Sequence, residues 1–208
     1  MSWLKRMGFQ GLSMTDLMPY LRGDRTAPVF GITFDDGYLN NLEHALPVLK
    51  SLGFTATCYV VHDEIGAFNQ WDQALGIDKV PLMNLSEIRT WIDAGMEVGS
   101  HTRTHAHLNS MDSKSAWREI QESKCLLEDA LNSKVRHFCY PYGEYSLEHV
   151  EMTQRAGYET ATTTRRGRVS SEVSLWEIPR VPVHRSTSTI QLLWKMMTPY
   201  EDRRSMSR

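Results

Sequence analysis

Apolar positions along this chain follow two alternating rhythms. Val29, Ile32 and Phe34 sit in a short run that predicts a buried strand over 28–34, ended by Asp35-Asp36-Gly37. Further strands are predicted over 55–61, where threonines and Val60-Val61 flank Cys58 and Tyr59, and at 96–98, 135–140, 158–164 and 177–183. Helical patterns separate them. One runs from Asn40 or Asn41, as cap, to Leu52, with Pro47 expected to bend it and Gly53 to stop it. The next opens on Asn84 with Glu87 three residues later and ends at Gly95. A longer one starts after Asp112 and places Ala116, Ile120, Leu127 and Leu131 on one core-facing stripe. Ser146 caps a helix that ends at Gly157, and Ser188 with Gln191 opens the last. Two short packing helices are expected ahead of all this, at Trp3–Met7 and Ser13–Leu21. Residues 62–83 show no period but hold Trp71 and Asp72, which marks a functional loop. The charged tail after Tyr200 is expected to fray.

Strand and helix alternating along 208 residues predict one domain of the α/β class, a mostly parallel sheet or barrel. In such a fold the C-terminal strand ends gather on one face, where the chemistry-bearing loops are built. Asp35 and Asp36, His101 and His105, Tyr142, and His184 each follow one of the predicted strands. A formal charge of −2 gives no general attraction to nucleic acid or anionic lipid, and Arg165-Arg166-Gly167-Arg168 is short enough to be a solvated loop. Three widely spaced cysteines indicate neither a disulfide framework nor a zinc ribbon. No segment has the apolar length of a membrane span. Met1 to Arg6 lack a secretory apolar core, so a cytoplasmic location is expected.

Asp-Asp-Gly is by itself an ordinary turn, and two histidines four apart are a common surface spacing. Together they point elsewhere. Adjacent aspartates direct their side chains differently, so one can hold a cation while the other faces what the cation holds. His101 and His105, on one face of a helical turn, can reach the same ion, and two imidazoles with one carboxylate leave positions open for water and substrate. His44, His62, His107, His137 and His149 lack such company and are taken as solvated or structural.

Thr33-Phe34-Asp35-Asp36-Gly37, His101-Thr102-Arg103-Thr104-His105 and Tyr140-Pro141-Tyr142-Gly143, in this order, resemble the polysaccharide deacetylases with a NodB homology domain, the carbohydrate esterase 4 group. Phe138 to Gly143 is most similar to the branch with poly-N-acetylglucosamine deacetylases. The resemblance covers roughly 28–185 and implies a distorted (β/α) barrel with fewer than eight repeats. It implies a divalent metal, zinc in most members, on Asp36, His101 and His105, with Asp35 as general base. It also implies an oxyanion donor at the backbone N–H of Tyr142 and a general acid at His184, with His62 as the alternative. Many members carry an arginine where Cys139 stands, and an Asp-x-x-Asp-Trp motif, both missing here. Arg180 is then expected to supply the cation that orients Asp35, against the plainer reading of a surface ion pair.

The expected activity is hydrolysis of the N-acetyl group of an amino-sugar glycan or its precursor, with Trp71, Tyr140 and Tyr142 walling the sugar groove. A hydrolase of small cyclic amides or imides on the same site, and a non-catalytic glycan-binding relative, are the competing readings.

Overall fold

The computed structural model describes residues 1–170 and 172–205. Six strands form one sheet in chain order: β3 (Thr33–Phe34), β4 (Thr57–Val60), β5 (Glu97–Ser100), β6 (His137–Cys139), β7 (Thr160–Arg166) and β8 (Ile178–Arg180). Every neighbouring pair is parallel. Parallel neighbours require crossovers. The first four are supplied by α3 (Leu46–Leu52), α4 (Leu85–Asp93), α5 (Ser113–Leu131) and α6 (Leu147–Arg155), while β7 reaches β8 without a helix among the described residues. The result is the expected distorted (β/α) barrel with fewer than eight repeats. It stays unclosed, because β3 and β8 end the sheet without pairing to each other.

Sequence signals for the helix ends act as read. Asn84 and Glu87 form a reciprocal capping box, Asp112 accepts from the N–H groups of Lys114 and Ser115, and Gly53 ends α3 in the left-handed conformation. The apolar stripe of α5 is buried with Trp91, Phe138 and Ala161 in the main core.

Elsewhere the fold corrects the sequence reading. The strand over 28–34 is two: β2 (Val29–Gly31) pairs with an unanticipated β1 (Gln10–Leu12), and only β3 joins the large sheet. Neither Asn40 nor Asn41 caps the following helix, which begins as a π-turn over Asn41–Ala45. Asn41 is instead buried, with Nδ2 3.8 Å from Cys58 Sγ. Pro47 lies in the first turn of α3, directly after that π-turn, so its missing N–H falls where the bonding changes from π to α.

After the short α1 (Ser2–Arg6), helix α2 (Met14–Leu21) closes the end of the barrel where the strands begin. Ser13 and Met14 donate backbone N–H bonds to Thr55 Oγ1 and Thr57 Oγ1, both at 2.8 Å, while Thr15 binds Glu97 through its N–H and hydroxyl. Buried His137 completes this network on Thr160 Oγ1 at 2.8 Å, which gives that histidine a structural role.

Over the described residues, Tyr200 to Ser205, the tail does not fray; residues 206–208 of that expectation lie outside the described residues. After α7 (Thr189–Met197), α8 (Tyr200–Ser205) returns to β7, and fully buried Glu201 takes two bonds from Arg166, at 2.6 and 3.1 Å. Asp202 accepts from the Arg168 side chain at 2.8 Å, so the arginine cluster anchors the tail instead of lying solvated. Among the described residues no helix is long and apolar enough to cross a membrane.

Burial would raise the pKa of Glu201, but Arg166 and Lys195 hold it below its usual value. A pKa lowered by folding means that this pair stabilises fully above the ordinary glutamate pKa and is lost as pH falls through the lowered one. Glu201→Gln should therefore lower stability by about 1–2 kcal/mol in urea unfolding near neutral pH. It should also remove the part of the acid dependence that belongs to the tail.

Candidate active site

Asp35 and Asp36 leave β3 in different directions because Asp36 has φ 72°, a left-handed conformation for a non-glycine residue. Asp36 turns toward the loop after β5. There His101 Nε2 and His105 Nε2 each lie 3.3 Å from Asp36 Oδ1. Asp35 turns to the other side and meets Arg180, whose guanidinium reaches Oδ1 at 2.6 Å and Oδ2 at 2.7 Å. Arg180 also donates from Nε to the Thr163 carbonyl at 2.8 Å and from a terminal nitrogen to Thr33 Oγ1 at 3.2 Å. It is thus tied to β7 and β3 and is not a surface ion pair.

The histidine loop is not the helical turn expected from the His-x-x-x-His spacing. Thr102 and His105 have φ 66° and 59°, and residues 101–107 form no helix. The N–H groups of Arg103 and Thr104, at 2.9 and 3.0 Å, and the Thr104 hydroxyl all donate to Glu119, an almost fully buried carboxylate on α5. These external bonds replace helical ones. Sequence reading missed Glu119, although an acid three residues after Ala116 on an apolar stripe was its signal.

Five non-glycine residues have positive φ among the described ones. Asn132 ends α5; the others, Asp36, Thr102, His105 and Tyr142, all belong to the site. Strain gathered in this way marks a place where geometry is held against local preference.

Burial acts to raise the pKa of Asp35, but the Arg180 charge and hydrogen bonds outweigh it and hold the carboxyl below its usual range. Asp36 is likewise held low against burial by His101 and His105. Burial lowers the pKa of His105 and so favours the neutral ring that a metal ligand requires. His101 Nδ1 is 2.7 Å from the Cys139 carbonyl; donation there leaves Nε2 with its lone pair.

One carboxylate oxygen of Asp36 and one nitrogen from each of His101 and His105 lie within 4.8 Å of one another, a donor set suited to a divalent ion such as zinc. Asp35, His101 and Cys139 converge as closely. There, however, the Arg180 cation already occupies both oxygens of Asp35, which disfavours a second positive charge.

Aromatic rings surround His105. Trp71, from the loop between β4 and α4, stacks on it with centroids 4.3 Å apart, and Tyr142 meets it edgewise at 4.5 Å. Asp72 accepts from Asn69 Nδ2 at 3.0 Å and from the Tyr38 hydroxyl at 3.4 Å. Tyr140 corrects the sequence reading: it is fully buried and its hydroxyl donates to the Trp176 carbonyl at 3.2 Å, so it packs the core and cannot wall a groove. His184 is exposed in the segment after β8, its N–H on Thr187 Oγ1 at 3.0 Å, and its ring makes no hydrogen bond to the cluster. His62 Nδ1 is engaged by Asp63 Oδ1 at 2.7 Å.

The polysaccharide deacetylase family profile matches residues 22–161, which include both acids, both histidines and Tyr142. The chain belongs to the polysaccharide deacetylase family. A candidate polysaccharide deacetylase of Bacillus subtilis (strain 168), YxkH, is 28% identical over 88% of this chain and 62% of its own length. The poly-beta-1,6-N-acetyl-D-glucosamine N-deacetylase of Staphylococcus epidermidis is 25% identical over 87% of this chain and 64% of its own. This deacetylase-family chain thus spans less than two thirds of those relatives. The Streptococcus pyogenes deacetylase PplD, solved with acetate, superposes with a TM-score of 0.80 at 24% identity, over 93% of this chain and 82% of that one, and shows the shared fold.

Calorimetric titration with Zn²⁺ should give one tight site per chain. Asp36→Ala and His105→Ala should each weaken it by more than about 100-fold, beyond the usual effect of losing a ligand's supporting partner. Asp35→Asn should bind within about tenfold of the unaltered protein, since Asp35 is not in the ligand set.

Proposed function

We propose that this protein is a metal-dependent hydrolase that removes the acetyl group from an N-acetylated amino sugar in a glycan and releases acetate. The observation that carries this reading is the division of two adjacent acids, Asp36 toward two imidazoles and Asp35 toward an arginine. Family membership and the glycan named for the staphylococcal relative support the substrate class.

Asp36, His101 and His105 would hold the divalent ion. When bound, such an ion polarises a carbonyl and makes water acidic near neutral pH. Asp35 accepts the proton of the attacking water, and Arg180 keeps it ionised and aimed. Negative charge then grows on the former amide oxygen, where the Tyr142 N–H is the donor. The amine leaves with a proton from a general acid. In that role His184 would have to come in from the segment directly after β8, which Arg180 ends. A sugar would lie on the face of Trp71 turned away from His105 and the face of Tyr142 turned away from His107.

Acetate release from short β-1,6-linked N-acetylglucosamine oligomers and from chito-oligosaccharides tests the reading. Asp35→Asn should lower kcat by about 10²–10⁴-fold, the usual worth of a positioned base. Ring opening of a cyclic imide without acetate release would instead support a small-molecule hydrolase. Unchanged turnover in Asp35→Asn would remove the base assignment. Arg180→Ala should cost at least about 100-fold in kcat/KM, because it leaves a partly buried carboxylate unpaired and unaimed. Arg180→Lys should recover only part of this, a point charge replacing a two-bond fork.

A further inference from the structure

His107 stands just beyond the metal-type motif, among the histidines expected to be solvated or structural. Its ring lies face to face with Tyr142, centroids 3.9 Å apart and planes within 1°. Its Nδ1 is 3.1 Å from Glu144 Oε2. These two contacts join the loop after β5 to the loop after β6. We propose that His107, held by Glu144, is a positioning residue that stacks on Tyr142 and fixes the direction of the Tyr142 backbone N–H. This rests on the deacetylase reading, in which that N–H faces the developing oxyanion.

Tyr142 needs such support. Its φ is 58°, a conformation tyrosine does not choose, and it lies in a single 3₁₀ turn, Pro141–Gly143. Gly143 follows with φ 70° and packs so closely on the Thr164 side chain that no other residue fits. On the main-chain side the Thr164 hydroxyl donates to the Tyr142 carbonyl at 3.3 Å. That bond and the glycine fix where the turn lies, but one torsion of Tyr142 would still re-aim the peptide. The ring is the lever that prevents it. It meets buried His105 edgewise at 4.5 Å and His107 face to face, so rotation of the backbone must break two ring contacts. Glu144, two residues on, closes the arrangement by holding His107 in the stacking plane. The His107 side chain is more than half exposed, and its role as a positioning residue follows from the face stacked on Tyr142 and from Nδ1 on Glu144.

Kinetics of His107→Ala, His107→Phe and Glu144→Ala on the same N-acetylglucosamine oligomer provide the test. His107→Ala should lower kcat by about tenfold with KM within about twofold, a fraction of the roughly 10²–10³-fold cost of deleting an oxyanion donor. His107→Phe keeps a flat ring and should recover most of the loss. Glu144→Ala should fall between, and covers the case in which His107→Ala does not fold. In a crystal structure of His107→Ala, Tyr142 should relax out of positive φ. That readout needs no turnover and so stands apart from the deacetylase reading, which an unaltered protein releasing no acetate would overturn on its own. A rise in KM at constant kcat would make His107 a sugar contact and overturn the proposal. So would His107→Phe as poor as His107→Ala, or Tyr142 unmoved at φ near 58° in the crystal.

Discussion

A guanidinium and a carboxylate meet across the gap in an unclosed sheet. Arg180 ends β8, Asp35 follows β3, and no backbone bond joins those two strands. The side-chain pair does what a strand ladder does elsewhere in the barrel, with Thr33, Thr163 and Cys139 Sγ taking the remaining donors of Arg180. Such a pair is costly to break, since either partner alone is left partly desolvated and uncompensated. The same contact separates two chemically identical acids. With Asp35 claimed by Arg180, Asp36 is the one free to face the imidazoles.

Around that pair the site is held by bonds that local preference would not choose. Left-handed Asp36, Thr102, His105 and Tyr142 each need an external constraint. Glu119 provides it for the histidine loop by accepting two N–H groups, and Thr164 and the stack on His107 provide it for Tyr142. The rigid parts of the barrel, with α2 pinned beneath through Thr15 by Glu97 and His137, form the frame against which this strain is kept.

Short-range signals in the chain were readable where one residue type has one physical use. Gly53 as a helix stop, Asn84 with Glu87 as a capping box and Asp112 as a cap all act as patterned. Signals failed where a long-range partner outbid the local one. The His-x-x-x-His spacing suits a helical turn, yet a buried glutamate takes the N–H groups that the turn would use. Asn41 has the chemistry of a cap, but burial against Cys58 claims it. Tyr140 and Tyr142 are indistinguishable as neighbours in sequence, and strand direction sends the first into the core and the second toward His105. The charged tail reads as unstructured because its partners, Arg166 and Arg168, lie more than thirty residues away.

By itself, then, the order of residues determined an alternating strand and helix plan and the chemistry at the strand ends, because periodicity and side-chain type are local properties. Which aspartate faces which cation, and which aromatic ring reaches the histidines, was decided only by the tertiary structure. Those choices depend on β8 returning beside β3 and on loops from β5 and β6 touching, contacts between residues distant in sequence that no local pattern encodes.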